Sequence, residues 1–277
     1  MPPPTAANQV ANAADGYGIV AWAAVSADVA QVALLRQRPS LSPRLPLPAN
    51  FLKFADEQTV VAMAAVRQAI AAHLQETDFS AWGVLAAPSG LGRLGSTAAL
   101  HRVRQKGYQL ASPMLIPHQS LHSVSATIGM ALGSRGPNYG ISGDAAHLVE
   151  GLVTLLAAMD DHPLAGWWLV LTGWDPEPAL DESGQCLTPG DCHALALAFV
   201  PVPAPWPGLR LRYRPGRSPI SAAVPRLRDL MQLLTAAAAA QRPCRWSAAV
   251  NGCGLVELEG VAGCPAPLAV TQAARAA

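Results

Sequence analysis

Several groups of residues in this chain have the types and spacing that chemistry uses. GLGRLG at 90–95 matches GxGxxG, a pattern that in a strand–turn–helix setting brings backbone N–H groups against a pyrophosphate at a helix start. The setting is met, because the apolar run WGVLAA (82–87) precedes it and a helical stretch follows. The companion feature is missing: the pattern needs an Asp or Glu about 20 residues on to hold a ribose hydroxyl, and no acidic residue occurs between Asp78 and Asp144. The glycines therefore read as a structural turn. His118 and His122 stand one helical turn apart, as two imidazoles on one metal would, with Asp144 or His147 as a third ligand. Lacking the glutamate that zinc peptidases place between such histidines, the pair reads better as side chains that cap or pack near a helix start, and no metal site is expected.

Other chemistries are excluded more directly. No GxSxG elbow exists, and Ser89 sits in APSGLG without the first glycine, so a serine-hydrolase site has no support. Cys186, Cys192, Cys244, Cys253 and Cys264 are odd in number and lack CxxC spacing, which indicates neither a disulfide framework nor a thiolate zinc site. They read as idle thiols in a reducing cytoplasm. The acid-free stretch carries Arg93, Arg102, Arg104, Lys106 and Arg135. Two readings of it stand: a solvated helix face, or a docking surface for an acidic or phosphate-bearing partner, since arginine forks suit carboxylate and phosphate.

The elements that must position these residues follow from periodicity. Residues 1–16 are rich in Pro, Ala and Asn and read as disordered, and 39–50 is a proline-punctuated connector. Helices are predicted over 56–75, 96–106, 119–133, 145–159 and around 225–240. Short apolar runs at 82–87, 138–142, 167–172, 192–200 and 209–213 predict strands, and 246–260 a hairpin. PVPAPWPG (201–208) marks a boundary between a segment 17–200 and a C-terminal segment 201–277. Alternating strands and helices predict an α/β layered fold with a largely parallel sheet.

With 277 residues, 51% of them hydrophobic, the chain supplies an ample core. Its charged fraction of 13% is about half the usual ~25%, so much apolar surface is left for something to cover. A formal net charge of +1 gives no global reason to expect nucleic acid or an anionic membrane as partner. No apolar run reaches the roughly 18 residues of a membrane span, and the N-terminus lacks the basic and apolar regions of a secretory signal, so a cytoplasmic location is expected.

Several segments taken together resemble the N-terminal half of a β-ketoacyl synthase of the thiolase-like superfamily. They are WGVLAAPSGLG, SPMLIPHQSLHSVSATIGMALGSRGPNYGIS, WWLVLTGWD and GDCHALALAFV, in that family's order. ALGSRGPNY is the most specific, being similar to the family's approach to its nucleophile, and the hairpin at 246–260 more weakly resembles the closing NxFGFGG segment. The resemblance covers about residues 17–200 as a ketosynthase-like domain, with 201–277 as an abridged second half.

The resemblance implies a thiolase-like fold in which a buried helix, following the strand after GP, begins with the acyl-accepting cysteine. A helix N-terminus lowers a thiol pKa and stabilises the attacking thiolate. Here Ala145 takes that place, give or take one position, and cannot carry an acyl group. The family's two histidines come from downstream, and this chain has none after His193. The implied role is a non-catalytic partner of an active synthase, of the chain-length-factor type, in type II polyketide or fatty-acid-like pathways, with no cofactor. Met114, Ile116, His118, His122, Met130, Tyr139 and Ile141 are then candidate interface or tunnel residues, and Arg93, Arg102, Arg104 and Lys106 candidates for docking a carrier protein. The alternatives are a stand-alone acyl- or small-molecule-binding protein, a homodimeric scaffold, or an acyl hydrolase or transferase built on Ser142, Asp144 and His147.

Overall fold

The computed structural model describes residues 17–110, 113, 115–141, 145–179, 181, 187–188, 190–202, 206–216, 224–250 and 254–260. Of the candidates named above, Met114, Ser142 and Asp144 lie outside the described residues, as does the segment 1–16. The apolar stretch YGIVAWAAVSA, unassigned by pattern, forms β1 (Tyr17–Ala27), which is buried along nearly its whole length. It runs between β5 (Asp191–Pro201) and β6 (Leu209–Pro215), antiparallel to both, and its alternate residues enter the cores on the two faces of the sheet, Ala21, Ala23 and Val25 on one and Ile19, Trp22 and Ala24 on the other.

The remaining strands are β2 (Trp82–Pro88), β3 (Asn138–Gly140), β4 (Gly166–Asp175), β7 (Cys244–Val250) and β8 (Gly254–Gly260). All eight form one sheet in the order β3-β2-β4-β5-β1-β6-β8-β7, with β3 at one edge. Only β2–β3 and β2–β4 pair in parallel; the other five pairings are antiparallel. The expectation of a largely parallel sheet is therefore corrected. Helical crossovers lie between β2 and β3 and between β3 and β4, whereas β4 returns directly as β5, and β7 folds back on β8 as the predicted hairpin.

Helices cover the sheet on both faces. On one face lies α2 (Glu57–His73), buried on all sides from Gln58 to Val66, as a helix apolar all round must be. It packs against β1 and β5 and is flanked by α1 (Val29–Leu35) and α5 (His122–Leu132). Ala194, Ala196 and Ala198 of β5 supply the flat small-residue surface on which it rests. The opposite face carries Leu195, Leu197 and Phe199 and is covered by α6 (His147–Asp161) and α7 (Leu227–Ala240). One strand thus feeds two cores through its period-two alternation.

Two elements depart from the predicted spans. The helix expected over 119–133 is two helices, α4 (Leu115–Gln119) and α5, broken at Ser120–Leu121. And α3 (Arg93–Lys106), followed by a 3₁₀ turn at Tyr108–Leu110, buries none of its residues. No helix among the described residues is long and apolar enough to cross a membrane.

Candidate functional site

The glycine loop after β2 is turned inward. Gly92 adopts φ 77°, begins α3, and donates its N–H to Asp56 Oδ2 at 3.2 Å. Asp56 caps α2 with its other oxygen, accepting from Gln58 N at 2.9 Å. Burial, followed by the adjacent Glu57 charge, raises the Asp56 carboxyl to about 7, against the lowering effect of the two N–H donors. A Cβ on Gly95 would overlap the Gln119 side chain, whose Oε1 accepts from Ser96 Oγ at 2.7 Å. The loop's glycines thus admit α4 and engage an internal carboxylate, in keeping with a structural turn.

The two histidines of the HxxxH spacing are on different helices, so one helix face does not hold both. His118 ends α4 with its ring 6.1 Å from Phe54, and His122 opens α5 with Nδ1 3.5 Å from Ser125 Oγ. The first is a ring-packing contact and the second a side-chain contact within the first turn of α5, which has no side-chain cap. No cluster of three metal-ligating side chains occurs among the described residues.

The side chains with open chemistry gather in a cleft of about 560 Å³ on the α6/α7 face, where the parallel strands β2 and β4 end. Ser89 follows β2, and its N–H donates to Thr172 O of β4 at 2.8 Å. Gly173, Trp174 and Asp175 close β4, and His193 enters from the facing start of β5, paired with Gly173. Ala145 and His147 come from the start of α6, while Val224 to Asp229 come from the start of α7. Strand C-termini and helix N-termini meeting in one crevice make a common ligand-site geometry in α/β sheets.

His193 is 4% exposed. Its Nδ1 lies 2.7 Å from Ser26 Oγ of β1, and its Nε2 has no hydrogen-bond partner among the described residues. Burial holds the imidazole pKa below its ordinary value; Arg228 also lowers it, against the raising influence of Asp191, Asp175 and the Asp175 backbone. Arg228 pairs with Asp175 at 3.8 Å. Cys192, next in sequence, points to the other face and is fully buried. Burial, with the charges of Asp56, Glu57 and Asp191, lifts its thiol well above the ordinary range, so it is neither accessible nor ionised.

The other candidates occupy a different region. Met130 is 65% and Ile116 79% exposed, Tyr139 lies on the edge strand β3, and Ile141 is half-buried beside it. Tyr139 stacks on Trp167 at 6.0 Å and its hydroxyl is 3.0 Å from His162 Nε2. Arg102, Arg104 and Lys106 are exposed on α3, whereas Arg93 is held by both oxygens of Glu177 at 2.7 and 2.5 Å. Ala145 and His147 reach the cleft, as does Ser89 of the APSGLG segment. His193, Asp175, Arg226 and Arg228 were not singled out from sequence, although polar residues at the ends of continuous apolar strands, as in GWD (173–175) and GDCH (190–193), are a usable signal.

No protein-family model and no curated protein sequence matches the chain. Among solved structures it is similar to the complex of the ketosynthase ApeO with its chain length factor ApeC from Xenorhabdus doucetiae. The TM-score is 0.52 at 10% identity, covering 87% of this chain and 98% of that one. It is more distantly similar to the ishigamide ketosynthase/chain length factor (TM-score 0.44, 17% identity, 81% and 71% covered). A β-ketoacyl synthase from Burkholderia phymatum stands at TM-score 0.45 and 11% identity, with 72% and 64% covered. The chain has a thiolase-like α/β fold of the ketosynthase kind, the one its sequence segments imply.

Proposed function

We propose that this chain is a non-catalytic ketosynthase-like subunit of the chain-length-factor type, which pairs in the cytoplasm with an active β-ketoacyl synthase of a type II polyketide or fatty-acid-like pathway. The observation that carries the reading is the open edge of β3. Around it Tyr139, Met130 and Leu121 are 36%, 65% and 41% exposed, and Ile116 of the adjoining α4 is 79% exposed. A strand edge and a contiguous apolar margin are what an obligate partner covers.

The non-catalytic part of the reading is supported by what stands at the start of α6. Ala145 presents a methyl group there, and Cys192 lies behind the sheet. Neither forms a thioester in the cleft. Arg102, Arg104 and Lys106 would give an acidic acyl carrier protein a cationic face, with Arg93 already engaged by Glu177.

The test is co-expression with an active β-ketoacyl synthase of a type II pathway from the same genome, followed by native mass spectrometry. A one-to-one heterodimer, together with absence of condensing activity in the isolated chain, is the expected result. A monodisperse monomer or self-dimer that ignores the synthase, or an acyl adduct trapped on this chain, would overturn it.

A further inference from the structure

The proline-punctuated connector 39–50 folds into a wall beside the C-terminal half of α2. Its turn is fixed locally, with Leu45 N donating to Ser42 O at 3.0 Å and Leu47 N to Ser40 Oγ at 2.9 Å. Pro43 and Pro46 stiffen it, so little ordering remains to be done when a ligand arrives. Between connector and helix lies a pocket of about 640 Å³, on the face of the sheet opposite the α6/α7 cleft. Leu41, which is buried, forms part of its floor, and the exposed Pro43, Pro46 and Ala71 form an apolar rim. Arg44 and Glu76, paired with each other, tie the connector to the residues just after α2.

Arg67 enters this pocket from α2, a helix that otherwise holds only Glu57 among Asp, Glu, Lys and Arg. The side chain is half-buried, and Nη1 donates to Arg38 O at 2.7 Å. Unlike its neighbours Arg36 and Arg44, which pair with Glu57 and Glu76, it has no carboxylate partner among the described residues. Burial lowers its pKa, and the like charge of Arg38 lowers it further, so the surroundings leave its charge unbalanced. None of its nitrogens is both buried and unpartnered, so the donors that Arg38 O leaves free are open to the pocket that the side chain lines. A planar guanidinium with free donors matches a carboxylate. Glu76 on the rim disfavours a doubly charged anion, and the apolar rim is left unused by a small inorganic one.

We infer that this pocket binds a small organic monocarboxylate, its carboxylate held by the Arg67 guanidinium and its apolar body against Leu41, Pro43 and Pro46. The inference does not depend on pairing with a synthase.

Calorimetric titration of the full chain with naphthalene-2-carboxylate, naphthalene-2-methanol and inorganic phosphate tests it. The carboxylate is expected to bind one to one and more tightly than either of the others. Arg67→Gln is expected to weaken it about tenfold, the loss of a charge-assisted hydrogen bond. Ala71→Trp, which fills the pocket from an exposed position on α2, is expected to abolish binding with Arg67 intact. Circular dichroism and thermal melting check that both variants are folded. Absence of saturable carboxylate binding, equal binding of the alcohol or of phosphate, or an unchanged affinity in either folded variant would each overturn the assignment. Since every measurement is on the chain alone, failure here leaves the co-expression result untouched, and the reverse holds.

Discussion

Ser26 and His193 face each other across the antiparallel β1–β5 pair, with Oγ 2.7 Å from Nδ1. The contact fixes a buried ring whose charged form is disfavoured. A histidine whose folded pKa is depressed stabilises the fold fully above its unfolded value of about 6.5, and this stability is lost as pH falls below that value toward the lower folded one. Melting temperature should therefore fall between pH 7.5 and pH 5 partly on account of His193. In His193→Gln that part disappears, and differential scanning calorimetry at the two pH values should show a smaller decline than in the wild type.

Asp56 works with the opposite sign. Its carboxyl is raised from 3.8 to about 7, so its contribution is present at low pH and is lost as pH rises through 7, with an upper bound of roughly 4 kcal/mol. Asp56→Asn keeps an acceptor for Gln58 N but turns an amide N–H toward Gly92 N. The variant should be less stable than the wild type at pH 5 and should gain on it by pH 8. Urea denaturation at both pH values reads the difference of slopes, and parallel slopes would contradict the assignment.

The outer strands are joined by charge. Glu257 of β8 is 2% exposed, with Arg214 Nε at 2.5 Å and Arg245 Nη2 at 2.9 Å from its two oxygens. Removing its charge leaves Arg214 and Arg245 with Glu259, at 3.8 and 3.4 Å, as their remaining carboxylate partner. Because those arginines are half-exposed, Glu257→Gln should cost about 2 kcal/mol rather than the ~3–5 kcal/mol of a fully buried pair. Chemical denaturation checks the magnitude, and the loss should shrink little in high salt because Glu257 itself is shielded.

Which parts of this molecule were legible in the sequence follows from how local their causes are. The hairpin at 246–260 and the strand WWLVLT show in the residues that form them. The pairing of β1 does not, because an unbroken apolar run states that a strand is buried without stating its neighbour or direction. For the same reason β5 was expected in a parallel setting and is antiparallel. The break between α4 and α5 escaped the periodicity because Ser120 and Leu121 carry no Gly or Pro signal. In the cleft, Ala145 was legible as a helix start, but His193 and Arg228 lie 35 positions apart and meet only because α7 packs back over β4 and β5.

The edge of β3 provides the sharpest separation between folding and assembly. Met130 is 65% exposed on α5, one residue past Gly129, which packs beside Asn138 of β3. A glutamate there stays in water in the isolated chain, so Met130→Glu should change its stability by less than about 0.5 kcal/mol. Against an apolar partner surface, the same carboxylate must be desolvated without a counter-charge, a cost of a few kcal/mol and hence a loss of about a hundredfold in affinity. Size-exclusion chromatography with light scattering, on the variant co-expressed with the synthase, should show separated components with the melting temperature of the chain unchanged. If the heterodimer persists intact with Glu at 130, that margin of α5 is outside the interface, and the β3 edge is not where the partner sits.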